Sequence, residues 1–156
     1  MNNTNRLSSQ RDLCAQRDKE FLALYCPTLD TMVEQGVPHP QMAAAMFTIA
    51  NGNPHYHVDL ENAYRRVCHL LSAEEKARYN ARNYDPESEV DLAQERLRRQ
   101  MWIEITERVR ALLQHGMSVE RATEHVLTHC RASRFFITPS TALTKICRQA
   151  RSRALR

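Results

Sequence analysis

Apolar residues fall at helical spacing over most of the chain. Met101, Ile105, Val109, Leu112 and Leu113 keep that period, and Gly116 follows as a residue able to take the left-handed conformation that ends a helix. The helix is expected to stop at His115 or Gly116. It can begin as early as Ser88, whose hydroxyl, with Asp91 three residues on, makes a variant of the capping box. Ser118 is the next N-cap candidate, and Val119, Ala122, Val126 and Leu127 give a short amphipathic helix to about His129. Cys130 to Ile137 reads as extended. Thr138 before Pro139 then starts a third helix running to about Arg151, because a proline in the first turn gives up an N–H that has no intrahelical partner.

The first half repeats this plan. Shifted by 80 positions, Phe21, Leu22, Tyr25, Leu29, Met32 and Val33 fall on Met101, Trp102, Ile105, Val109, Leu112 and Leu113, and Gly36 falls on Gly116. After a one-residue gap near Val37 the shift becomes 79. Ala43, Phe47, Tyr56, Val58, Ala63, Val67 and Cys68 then meet Ala122, Val126, Phe135, Ile137, Ala142, Ile146 and Cys147. Repeats of 20 to 50 residues signal solenoids, whereas two copies at this longer spacing suggest a pair of related lobes. Pro27 is expected to kink or break the first helix near Tyr25, since an interior proline removes a hydrogen bond and clashes with the preceding turn. Gln41 to Ala50 forms the second helix, Asn51 to Pro54 breaks the chain, and Asp59 caps a third helix over Leu60 to Leu71. Ser72 with Glu75 opens a short acidic helix to about Asn80, and Asn83 to Glu87 reads as a linker. The expectation is an all-α chain: two pseudo-repeated three-helix lobes, 1–72 and 88–156, joined by an acidic helical linker over 73–87.

Composition agrees with an ordinary globular chain. Of 156 residues, 42% are hydrophobic and 26% charged, with only 3 Gly and 6 Pro. No stretch approaches the roughly 20 apolar residues that span a bilayer, and the opening MNNTNRLSSQRD lacks the apolar core of a secretory signal, so a cytoplasmic protein is expected. Cys14, Cys26, Cys68, Cys130 and Cys147 are odd in number and form no CxxC, which points to reduced thiols. Cys68 and Cys147 fall on apolar stripes and are expected to be buried.

Charge changes the picture more. Glu74 to Glu95 carries seven acids against three bases, while His125 to Arg156 carries seven bases and no acid. Of the 22 basic residues 19 are Arg, the better bidentate partner for phosphate and guanine. In the last helix Ala142, Leu143, Ile146, Cys147 and Ala150 mark the buried stripe. Opposite lie Ser140, Thr141, Thr144, Lys145, Arg148 and Arg151, hydrogen-bond donors and cations without an acid. Arg131 and Arg134 precede them and are candidates for phosphate contact. The first copy's third helix is expected to bury Ala63, Tyr64, Val67, Cys68 and Leu71 and to present Glu61, Asn62, Arg65, Arg66 and His69, a more mixed face and a secondary candidate. Phe135 and Phe136 are expected to plug the space between the second and third helices rather than to stack on bases.

The segment Arg134 to Ala142, RFFITPSTA, resembles an R-[FY]-[FY]-[VI]-[ST]-P-x-x-A motif of small proteins of Bacteroides-type bacteria, a resemblance that implies no activity. More loosely, the second half resembles tri-helical, helix-turn-helix-like DNA-binding domains. Ser118 to His129 would be the supporting helix and Pro139 to Arg151 the recognition helix. The resemblance implies a DNA partner, and the function expected with it is that of a mobile-element or prophage protein, but Cys130 to Thr138 is longer than the three or four residues of the standard turn.

Catalytic signatures are absent: no P-loop, GxGxxG or GxSxG occurs. His55, His57, Cys68 and His69 lie close together, and His125 and His129 can share a helical face. However, Glu124 precedes His125, so the general base of a zinc-protease motif is out of place. No catalytic residue, metal or cofactor is assigned. The expected function is duplex DNA binding through the basic C-terminal lobe; the alternative is a helical protein-interaction adaptor or homo-oligomeric scaffold, and neither calls for a membrane.

Overall fold

The computed structural model describes residues 10–74, 77 and 92–148, whose regular secondary structure is all helical, without a strand. The helices are α1 (Gln10–Glu34), α2 (Pro40–Asn51), α3 (Leu60–Leu70), α4 (Leu92–Leu113), α5 (Val119–His129) and α6 (Pro139–Thr141), which continues directly as a π-helical segment, Ala142–Cys147. The Ser88 cap, the linker Asn83 to Glu87 and the helix end near Arg151 lie outside the described residues, as do Glu75 and most of the acidic helix expected after Ser72.

Local chemistry sets the helix ends. Gly36 and Gly116 both take positive φ, 70° and 86°. Around each, the glycine N–H donates three residues back (to Val33 O and Leu113 O) and the next N–H five residues back (Val37 to Met32 O, Met117 to Leu112 O). This is the Schellman arrangement, formed twice at the 80-residue spacing. The side chains of Asp59, Ser118 and Thr138 accept from Asn62 N, Arg121 N and Thr141 N at the starts of α3, α5 and α6. Pro27 does not break α1, which runs through it as one helix of 25 residues. The exposed proline ring costs the helix one hydrogen bond, while Phe21 and Tyr25 before it are buried in the core.

Each core takes its third helix from the other half of the sequence. One core joins Ala63, Val67 and Leu70 of α3 to Trp102, Ile105 and Val109 of α4 and to Ala122 and Val126 of α5. The other joins Phe21 and Tyr25 of α1 and Ala44, Ala45 and Ile49 of α2 to Ala142 and Ile146 of the last helix. Accordingly α3 packs on α4 and α5, while α6 and its π-helical continuation pack on α1 and α2. The connectors 52–59 and 130–138 must therefore cross. Ala132 N donates to Pro54 O at 2.6 Å and Phe135 N to Ile49 O at 3.0 Å. Tyr56 of the first connector enters the α3–α4–α5 core, and Phe135 of the second enters the α1–α2 core, edge-on to Phe21 with ring centres 5.3 Å apart. Phe135 thus plugs a core rather than lying exposed, but the core is that of α1, α2 and the last helix and not the expected space between the second and third helices of its own half; Phe136 is half-buried against the other core.

The last helix buries Ala142 and Ile146 and exposes Ser140, Thr144, Lys145 and Arg148 as its sequence pattern predicts, while Leu143 and Cys147, expected in the buried stripe, are only half-buried at its edge. On α3 the buried stripe is rotated. Leu70 is buried with Ala63 and Val67, whereas Tyr64 and Cys68 are exposed, because docking between α4 and α5 turns positions 63, 67 and 70 inward. Cys68 is therefore not a core thiol.

Candidate nucleic-acid interface

The crossing of the connectors creates an open groove of about 1020 Å³ between the two units. Arg65, Arg66 and His69 of α3 line it together with Arg134, Thr141 and Lys145 from the second connector and the last helix, so both sequence-derived candidate faces contribute to one surface. Arg17 of α1 and Arg98 of α4 complete the lining. Six Arg or Lys side chains thus face two carboxylates, Asp59 and Glu95. Asp59 is already engaged by Asn62 N and Nδ2, at 2.9 and 2.7 Å. Arg17 pairs with its half-buried neighbour Asp18 at 3.0 Å, and Arg65 pairs with Glu61 at 2.5 Å, an exposed contact that a polyanion can replace at small cost. Arg66 lies over the Trp102 ring, 6.0 Å from its centre.

The remaining candidates are placed differently. Arg131 leaves the groove lining and reaches Glu20 Oε1 at 3.3 Å. Ser140 and Thr144 are exposed beside the groove, with the Thr144 hydroxyl donating to Ser140 O at 2.9 Å. Arg148 is exposed on the same helix, and its N–H donates to Leu143 O, the five-residue step of the π turn. Arg151 lies outside the described residues. The standard supporting-helix role of α5 has no counterpart here, since the last helix packs on α1 and α2.

Three polar side chains pin the crossing. Gln94 donates to Phe136 O at 3.1 Å and accepts from Thr138 N at 3.3 Å. Glu104 Oε2 accepts from the Tyr56 hydroxyl at 2.5 Å and from Ser133 N at 3.2 Å; burial, reinforced by that carboxylate, pushes the Tyr56 phenol above its ordinary range. Glu20 of α1 holds both histidines of the first connector: Oε1 faces His55 Nδ1 at 2.5 Å and Oε2 meets His57 Nε2. Burial works to raise the Glu20 pKa, but the hydrogen bonds from His57 and His55 outweigh it, and the carboxyl titrates below its ordinary value. Burial lowers His57 despite the opposing pull of Glu20, so this imidazole is neutral near pH 7.

Sequence reasoning missed Arg17, Arg98, Glu20 and the placement of His55 and His57. The HisTyrHis triplet carried the available signal: in an extended connector, residues two apart share a face, and the central Tyr56 points the other way. No cluster of three or more metal-ligating side chains occurs among the described residues, and the exposed His125 and His129 rings, 4.8 Å apart, form a pair without a third ligand. No helix among the described residues is long and apolar enough to cross a membrane. Compared with protein-family models, curated proteins and solved structures, the chain matches none.

Proposed function

We propose that the protein binds nucleic acid, with duplex DNA as its target, through the groove between the two third helices. One observation carries this reading: the exchange of third helices gathers Arg65 and Arg66 from one half and Arg134 and Lys145 from the other onto a single concave surface, joined by Arg17 and Arg98. Cations so arranged neutralise a phosphate backbone and release its counterions. The apolar groups of the groove, such as Trp102 and Phe135, are buried, so the interaction is with backbone and groove edges rather than by base stacking.

Titration of labelled random duplex and single-stranded DNA across a salt series tests the proposal. Each neutralised phosphate contributes about −0.9 to the slope of log affinity against log salt for duplex, so engagement of most of the groove cations gives a slope of roughly −4 to −5. A flat salt response, or no binding at low salt, refutes it.

The protein-interaction reading has an observation of its own. Met42, Met46 and Phe47 are exposed large apolar side chains on α2, a helix without a single charge, and Val33 at the end of α1 is exposed as well. Sedimentation across a concentration series tests whether that surface associates.

A further inference from the structure

We infer that the cationic groove lies on an internal two-fold axis and that one chain recognises a duplex inverted repeat, each third helix serving one half-site. The inference rests on the reading of the groove as a duplex-binding surface and adds the symmetry of its target.

The exchange of third helices is reciprocal: α3 packs on α4 and α5, and the last helix returns to α1 and α2. If the two halves were related by translation, the last helix would be handed onward, beyond α4 and α5, and α1 and α2 would be left uncovered. A rotation of about 180° lets each half give and receive the same element, as in an isologous dimer. Residues at matching positions behave accordingly. At the shift of 79 positions Ala63 and Val67 of α3 correspond to Ala142 and Ile146 of the last helix, and each pair is buried in the core of the opposite half. Tyr56 and Phe135 correspond at the same shift, and they too enter opposite cores.

The groove is lined by such matched positions. All the residues of the second connector that line it, 134–137, have their counterparts, 55–58, lining it from the first. The same holds for the last helix, where Thr141 is matched by Asn62 and Lys145 by Arg66. A surface built from matched pairs fits a ligand with a two-fold axis of its own. Duplex DNA has one, because its antiparallel strands are related by dyads across the helix axis, whereas a single strand has none. Arg66 and Lys145 therefore meet equivalent phosphates on opposite strands, and the base edges beside them form an inverted repeat, as operator palindromy mirrors the symmetry of a dimer. Both helices face one groove, so the half-sites abut instead of lying a full helical turn apart. The two halves are not identical. Arg66 offers a forked guanidinium where Lys145 offers a point charge, and Arg65 and His69 line the groove where their counterparts Thr144 and Arg148 do not. The repeat is accordingly imperfect, with the stricter half under α3.

The experiment selects duplexes from a random-sequence library with the full chain, then measures affinity and stoichiometry on the enriched duplex by anisotropy. The expected result is an inverted repeat without a spacer, bound by one chain. Turning one half round to give a direct repeat, or inserting about half a helical turn at the centre, lowers affinity by about tenfold or more. Arg66→Ala and Lys145→Ala, with unchanged circular dichroism, relax base preference in opposite halves of the site. Lys145→Arg makes the matched positions identical and shifts the selected site toward a perfect palindrome. Enrichment of a site without dyad symmetry, of no site, or of a site that takes two chains overturns the two-fold inference and leaves the binding proposal standing. Failure of the library to bind at low salt overturns both.

Discussion

A methyl group on Gly52 should be among the most damaging small changes to this protein. Gly52 caps α2 with ordinary right-handed backbone angles, φ −75° and ψ −25°, where Gly→Ala normally gains up to about 1 kcal/mol through the unfolded state. Here the added Cβ would lie 2.2 Å from Phe135 Cε2, 2.8 Å from Phe135 Cδ2 and 2.8 Å from Thr48 O. The backbone oxygen cannot yield without disturbing α2, and the ring is 2% exposed, edge-on to Phe21 and held by the bond from Phe135 N to Ile49 O. Overpacking alone costs about 1–3 kcal/mol, and expulsion of the ring approaches the roughly 3–5 kcal/mol of losing a buried Phe. A destabilisation of about 3 kcal/mol follows, near 6–12 °C in Tm for a chain of this size. Urea unfolding followed by circular dichroism measures it. A double-mutant cycle with Phe135→Leu should show coupling above about 1 kcal/mol, since the smaller side chain relieves the clash. A neutral or stabilising Gly52→Ala would refute the packing of the second connector against α2.

Other consequences are as direct. Thr138→Ala removes the acceptor for Thr141 N and should cost about 1 kcal/mol in urea unfolding, whereas Thr144→Ala, whose hydroxyl only bonds its own helix, should cost a few tenths. Stability should fall on acidification. Because His57 is depressed in the folded state, the unfolded chain takes its proton first, and stability declines as pH drops below 6.5. Glu20, also depressed, adds a further loss below 4.5. Thermal melts from pH 7.5 to 4 check this, and His57→Gln should remove the upper part of the decline; a flat profile would contradict it. The exchange of third helices predicts that Val67→Ala, at about 2 kcal/mol, couples to Val126→Ala in the other half of the sequence but adds independently to Ala44→Gly on α2.

Much of the helical plan was legible because local signals specify it. The Gly36 and Gly116 ends, the Asp59, Ser118 and Thr138 caps and the break at Asn51 to Pro54 are short-range chemistry, and the structure forms each of them. The pairing of helices was not legible. An amphipathic period states that Ala142 and Ile146 face a core but not which core, and the length of the Cys130 to Thr138 connector, a departure from the standard turn, was the one hint that the third helix travels elsewhere. Pro27 misled because packing of Phe21 and Tyr25 overrides a local penalty. Tyr64 and Cys68 misled because a stripe one position over fits the same period. The groove followed from none of these, since Arg17, Arg65, Arg98 and Lys145 come together only through the exchange.

Binding of labelled duplex DNA by wild-type protein and by an Arg98→Glu, Lys145→Glu variant, at matched salt, tests the central claim most directly. Both side chains line the groove from opposite units and neither makes an ion pair among the described residues, so their reversal should leave the melting temperature nearly unchanged. The account predicts at least a hundredfold loss of affinity at low salt and a slope of log affinity against log salt shallower by about 2. Unchanged affinity in the folded variant would contradict it.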